Sequence, residues 1–181
     1  MGTRVVASAA VVLAFLASAT PASAHENTSE VRVVELRDRC DPASFDAAIG
    51  EGTCIPHEDA DVTFAEFLTQ LNPVDFGHDG WRMNPDDTEI TVGDTLKAVV
   101  RGGESHTFTE VTAFGPGCIS LINGRLGLTG PPPRPCDDTL FATTGVAPGG
   151  SLTVSGLAPG THLFMCFIHP WMRSEIDVRQ R

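Results

Sequence analysis

The sequence predicts an all-β protein, a Greek-key β-sandwich of short strands with a short, partly helical N-terminal extension. Two observations carry that expectation. Ile90, Val92, Leu96, Ala98 and Val100 alternate with polar residues around the turn Val92-Gly93-Asp94-Thr95, the period of two expected of half-buried strands. Further short runs at 106–112, 140–143, 151–155, 162–167 and 175–178 read as strands, with turns such as Pro148-Gly149-Gly150 and Ala158-Pro159-Gly160 between some of them. Many short strands with frequent turns point to a sandwich.

Taken in order, residues 1–24 read as a secretory signal. Arg4 supplies the positive start, residues 5–19 the apolar run, and Ala22-Ser23-Ala24 a small-residue cleavage site. That run is too short and too rich in Ala and Ser for a membrane span. The expected location is therefore secreted or periplasmic. Past residue 24 no run is long enough to cross a bilayer. The 181-residue chain carries a net charge of -11. Its acidic balance argues against a nucleic-acid partner and suits solubility or a cationic protein partner.

Residues 25–79 read as the extension and 80–181 as the sandwich domain. Within the extension, Thr63 and Glu66 form a capping box and Val62 with Phe67 a hydrophobic staple. Phe64, Phe67, Leu68 and Leu71 then share one helical face, and the helix should end near Asn72-Pro73. His25, His57 and His78 lie in polar, loop-like context and are expected to be solvated. His25 would be the first residue after cleavage, where an amino-terminal imidazole can chelate copper by itself. The stretch 115–136, with Pro131-Pro132-Pro133, is too long for a simple hairpin and reads as an irregular insertion.

Five cysteines leave one without a partner. Cys40 and Cys54 bracket one short loop, Cys118 and Cys136 another. Four cysteines allow three pairings, and the local one is a preference. Each closed loop would contribute about 3 kcal/mol in the chain-entropy account.

The odd cysteine, Cys166, opens the stretch with the most chemistry: Cys166-Phe167-Ile168-His169-Pro170-Trp171-Met172. A thiolate, an imidazole and a thioether stand at spacing Cys-x2-His-x2-Met. With one more imidazole, that is the donor set of a blue-copper electron-transfer centre. Other uses fit less well. A nucleophilic Cys and its base usually meet through the fold, not within one tight loop. Zinc rarely recruits Met, and no second Cys or His pair lies nearby. Met172 alone would be a core residue.

This loop resembles the ligand loop of the cupredoxins, and its short spacing and the Pro after His are most similar to amicyanin. The segment from Trp81 to Leu96 is similar to the opening strands of plastocyanin-like domains, and the resemblance extends over about residues 80–178. It implies one type 1 copper ion bound by His106, Cys166, His169 and Met172. His106 opens a strand well upstream of the loop, where the family has its first ligand. His162, on the same strand as Cys166, is expected to point away from the metal as a packed or hydrogen-bonded histidine. The resemblance also implies an exposed apolar patch around His169, with Pro170 and Trp171 as docking residues. In the family, the residue after the first ligand is often Asn, which ties the two ligand loops together; here it is Thr107.

The implied function is one-electron transfer between redox protein partners by a monomer that is not an enzyme. The alternative is copper storage or delivery, against which stands the small number of methionines, four including Met1.

Overall fold

The computed structural model describes residues 1–2 and 28–181. Most of the expected signal segment, and His25, lie outside the described residues.

The first strand, β1 (Val31–Arg37), turns Val34 and Leu36 inward and leaves Val31, Arg32 and Val33 exposed. Helix α1 (Pro42–Ile49) starts at Asp41, whose carboxylate accepts from the Ser44 N–H, with Pro42 in the first turn. Helix α2 (Phe64–Gln70) begins at the expected place: Thr63 and Glu66 satisfy each other's backbone N–H groups in a full capping box. Next come β2 (Arg82–Asn84), β3 (Asp87–Thr91), β4 (Thr95–Val100), β5 (His106–Thr107) and β6 (Thr109–Val111). Helices α3 (Ser120–Arg125) and α4 (Asp138–Thr144) precede β7 (Gly145–Val146), β8 (Ser151–Ser155), β9 (Gly160–Met165) and β10 (Arg173–Arg179).

Two four-stranded sheets form the sandwich, in the orders β2-β1-β4-β8 and β3-β10-β9-β6, with a short β5-β7 pair beside them. The turn at Gly93 carries the chain from the second sheet into the first. Gly93 sits at φ +93°, a region open to glycine but strained for other residues. Alternation sets the core. Leu96, Ala98 and Val100 of β4 face Val34 and Leu36 from within one sheet, and Ile176 and Val178 of β10 come from the other.

Two expectations need correction. Residues 25–79 are not merely an extension: β1 lies between β2 and β4, parallel to β4 with Leu36 opposite Val100, so the sandwich begins well before residue 80. The same region also holds two helices, not one. Residues 140–143, read as one of the short strands, belong to α4. Asp137 caps that helix by accepting from the Leu140 N–H, and this local bond outweighs strand propensity.

The disulfides join Cys40 to Cys54 and Cys118 to Cys136, leaving Cys166 as a buried free thiol. The first ties the residue before the α1 cap to the loop that follows the helix. The second closes the insertion, whose Cys118 N–H donates to the Phe167 carbonyl at 2.6 Å. The insertion is thereby fastened to the loop between β9 and β10.

Candidate metal centre

Strands β9 and β10 pair up to Met165 opposite Arg173, so residues 166–172 form the loop at the end of a hairpin. The loop is closed from within: the Cys166 N–H donates to the Met172 carbonyl at 3.0 Å, and the Met172 N–H to the His169 carbonyl at 2.9 Å. Those bonds fold three widely different donors into one turn. The Cys166 and Met172 side chains are fully buried and His169 nearly so.

His106 comes from 60 residues upstream. Its Nδ1 lies 3.9 Å from the Cys166 Sγ, and the Nδ1 of His169 is also 3.9 Å from that sulfur. Metal bonds of about 2.3 Å to sulfur and about 2.0 Å to nitrogen, at a trigonal angle, would put S and N about 3.8 Å apart. The three donors therefore stand where one ion would hold them. Thiolate with two imidazoles suits copper or zinc, and the addition of Met172 favours copper.

The other nitrogen of each imidazole faces a carboxyl group, hydrogen-bonded for His106 and more distant for His169. The Nε2 of His106 is 2.9 Å from Asp38 Oδ2, and the Nε2 of His169 is 3.5 Å from Glu104 Oε2. Such outer partners fix which nitrogen faces a metal. Asp38 follows Val34 and Leu36 by the strand period of two, so the same alternation that buries them turns its carboxylate inward. It also accepts from the backbone N–H groups of Gly103 and Glu104. A Cβ on Gly102 would overlap this carboxylate, which is why the turn before His106 must be glycine there.

Burial works against charge on Asp38, but the His106 hydrogen bond and the two backbone donors hold its pKa below the usual carboxylate range. Burial pushes Glu104 the other way, above the usual range, and the nearby His169 and Trp81 only partly offset it. For His106 burial alone would lower the pKa, yet Asp38 and the Cys166 sulfur push it up to about 10. Burial likewise opposes ionisation of Cys166, and the two imidazoles outweigh it, holding the thiol well below its ordinary value. Both imidazoles thus favour the thiolate form of Cys166, which is the form that binds a metal ion.

Thr107 performs the tie between the two loops. Its Oγ1 accepts from the Phe167 N–H at 2.9 Å, and its own N–H points at the Cys166 Sγ at 3.4 Å. His162 lies away from the centre, between Glu110 at 2.6 Å and the Ala158 carbonyl at 2.8 Å.

Three expectations about the surroundings are overturned. His169 does not project through an apolar patch: it is 2% exposed, ringed by Phe67, Trp81 and Trp171 at centroid distances of 6.1, 6.3 and 5.3 Å. Pro170 is buried and Trp171 half-buried. The Trp171 Nε1 donates to the carbonyls of Trp81 at 3.0 Å and His78 at 3.3 Å, and its ring rests where a Cβ on Gly77 would be. Trp171 thus packs against Phe67 of α2 and Pro170 lies beside Gly117, so neither forms the exposed patch that was expected. Nor are His57 and His78 solvated. His57 packs beside Asp38, with Nε2 3.7 Å from Oδ1. His78 is buried against Trp81, accepts from the Gly80 N–H, and has its pKa pushed down by burial.

The thiolate–imidazole loop joins the last two strands of a two-sheet sandwich, and the second imidazole stands on a neighbouring strand. The fold is cupredoxin-like. No protein-family model matches the chain, and no curated protein matches it. Among solved structures it is similar to a purple cupredoxin from Nitrosopumilus maritimus, at 16% identity over 81% of this chain and 98% of that one, with a TM-score of 0.38. It is similar to plastocyanin from Dryopteris crassirhizoma, at 13% identity over 82% of this chain and 100% of that one, TM-score 0.39. An amicyanin variant in its Cu(I) form matches at 17% identity over 54% of this chain and 73% of that one, TM-score 0.35. These superpositions are loose, and the function of this cupredoxin-like chain is read from its own donors.

Asp38 and Glu104 were not anticipated as parts of the centre. For Asp38 a signal existed: the alternation Val34, Leu36, Asp38 places a carboxylate at an inward position. Glu104, two residues before His106 in a glycine turn, gave none.

Proposed function

We propose that this protein carries single electrons between redox protein partners through one type 1 copper held by His106, Cys166, His169 and Met172. The observation that carries the reading is the pair of 3.9 Å separations between the Cys166 sulfur and two imidazole nitrogens, each imidazole backed by a carboxylate. Bound copper would supply a Cu(I)/Cu(II) couple. The chain does the rest. It keeps the sulfur ionised, presents Nδ1 from both rings and excludes water by complete burial of Cys166 and Met172. It also fixes both loops through Thr107, so that little needs to rearrange when an electron arrives.

We read the protein as a carrier and not an enzyme, exported by its N-terminal segment and acting as a monomer. No helix among the described residues is long and apolar enough to cross a membrane. The test is the visible spectrum of the Cu(II)-loaded protein. An intense thiolate-to-copper charge-transfer band that bleaches on reduction is expected. A colourless Cu(II) complex with weak ligand-field bands alone would sink the assignment.

A further inference from the structure

We propose that the cleft over His169 binds a small neutral phenol. The inference concerns a ligand site beside the copper ligands and does not rest on electron transfer. The cleft has a volume of about 410 Å3, within the usual range of roughly 300–1,000 Å3 for small-molecule sites. Phe45 of α1 and Phe64 and Phe67 of α2 line it, together with Ile119 and Leu121 at the start of α3. The three rings already pack on one another at centroid distances of 5.2, 5.6 and 6.3 Å. Such a cluster accepts a further ring edge-to-face or offset.

The polar end is Glu104, which lines the cleft beside His169. Its side chain is 7% exposed. Oε2 is committed, accepting from the Trp81 Nε1 at 2.5 Å and standing 3.5 Å from His169. Oε1 accepts nothing from the described residues. Oε1 is not one of the buried atoms left unsatisfied, so solvent reaches it, and a hydroxyl donor brought by an occupant would take the place of water there. The rest of the lining is apolar, so the occupant should be a ring with few other polar atoms. Repulsion from the carboxyl oxygen and from an acidic chain disfavours an anion. A phenol combines the ring, the single donor and neutrality.

The experiment uses thymol as the probe, with cymene as the same hydrocarbon lacking the hydroxyl and cuminate as the anionic counterpart. Each is titrated into the Cu(I)-loaded and the metal-free protein and followed by amide NMR. Thymol should give saturable shifts confined to α1, α2, the start of α3 and the Glu104 turn. It should bind roughly three- to tenfold tighter than cymene, the worth of one hydrogen bond, and at least about tenfold tighter than cuminate.

Leu121→Trp, at an exposed position on the cleft wall, should weaken thymol binding about tenfold while the Cu(II) spectrum stays unchanged. Glu104→Leu should make thymol and cymene bind alike. If that variant does not fold, Leu121→Trp and the ranking of the three probes decide alone. Absence of saturable shifts, shifts elsewhere, equal affinity for all three probes, or shifts that follow protein concentration without thymol would each overturn the proposal; the last would make the cleft an interface between copies. Thymol binding in a protein without the charge-transfer band would refute only the copper reading. The band without thymol binding would refute only the cleft.

Discussion

The two imidazoles that face Cys166 are backed by carboxylates in different situations. Asp38 is buried just past the end of β1, hydrogen-bonds His106 at 2.9 Å, and is braced by two backbone donors. Glu104 stands at the edge of a cleft, 3.5 Å from His169, and shares its bound oxygen with Trp81. The difference shows in their ionisation, with Asp38 held below the usual range and Glu104 pushed above it. One end of the centre is anchored to the core, and the other is adjustable from the surface.

Substitution should expose that asymmetry. Asp38→Asn leaves a charged imidazole and two N–H groups facing a neutral amide in a dry interior. Breaking a buried pair of this kind costs about 3 kcal/mol or more, and loss of an outer partner lowers metal affinity by roughly 10- to 100-fold. Glu104→Gln keeps the volume and an acceptor for Trp81, so its loss of metal affinity should be several times smaller. Denaturant unfolding and a competitive metal titration on both variants measure the contrast. Equal losses would mean that the two ends are equivalent.

Trp171→Glu probes the adjustable end. In an exposed patch the change would leave stability alone. Here the ring is packed against Gly77, Phe67 and His169, so its removal should cost about 3 kcal/mol and alter the charge-transfer band. Thermal unfolding and the spectrum decide it. A fully stable variant with an unchanged band would return Trp171 to the surface.

The smallest effect lies far from the centre. Burial opposes charge on His162, but the hydrogen bonds to Glu110 and the Ala158 carbonyl outweigh it and raise its pKa. A raised base stabilises the fold fully below its unfolded pKa of about 6.5 and loses that contribution as pH rises through the folded value. Glu110→Gln should therefore remove less than about 1 kcal/mol, and only on the acid side. His78 has the opposite sign. Its pKa is lowered by burial, so its contribution is present above pH of about 6.5 and fades as pH falls through the folded value. Stability curves against pH for the wild type and Glu110→Gln separate the two.

How much of this was legible depended on distance along the chain. Cys166, His169 and Met172 lie within one loop, so their spacing carried the chemistry directly. The Thr63–Glu66 capping box was equally local and stood where expected. His106 needed the family resemblance, since nothing near it announces a ligand. The alternation Val34, Leu36, Asp38 pointed inward, but it was masked because β1 mixes Arg32, Glu35 and Arg37 with its apolar residues and a charged residue at its end reads as a solvated turn. The surroundings of His57, His78 and Trp171 were illegible because distant segments create them: Asp38 and Gly103 for His57, and Phe67 of α2 for the other two. Residues 140–143 misled for a different reason: a short apolar run among turns reads as a strand, and the Asp137 cap starts a helix there.

Strand β1 gives the molecule a further property. Asp38 and His106 are 68 residues apart, and His106 and Cys166 a further 60. Pairings across such separations carry the loop-closure cost of long intervening chain. The candidate donors lie on a middle turn and the last hairpin, and the carboxylate behind His106 lies just past the first strand. The arrangement around Cys166 is therefore complete only once the first strand and the last are both in place.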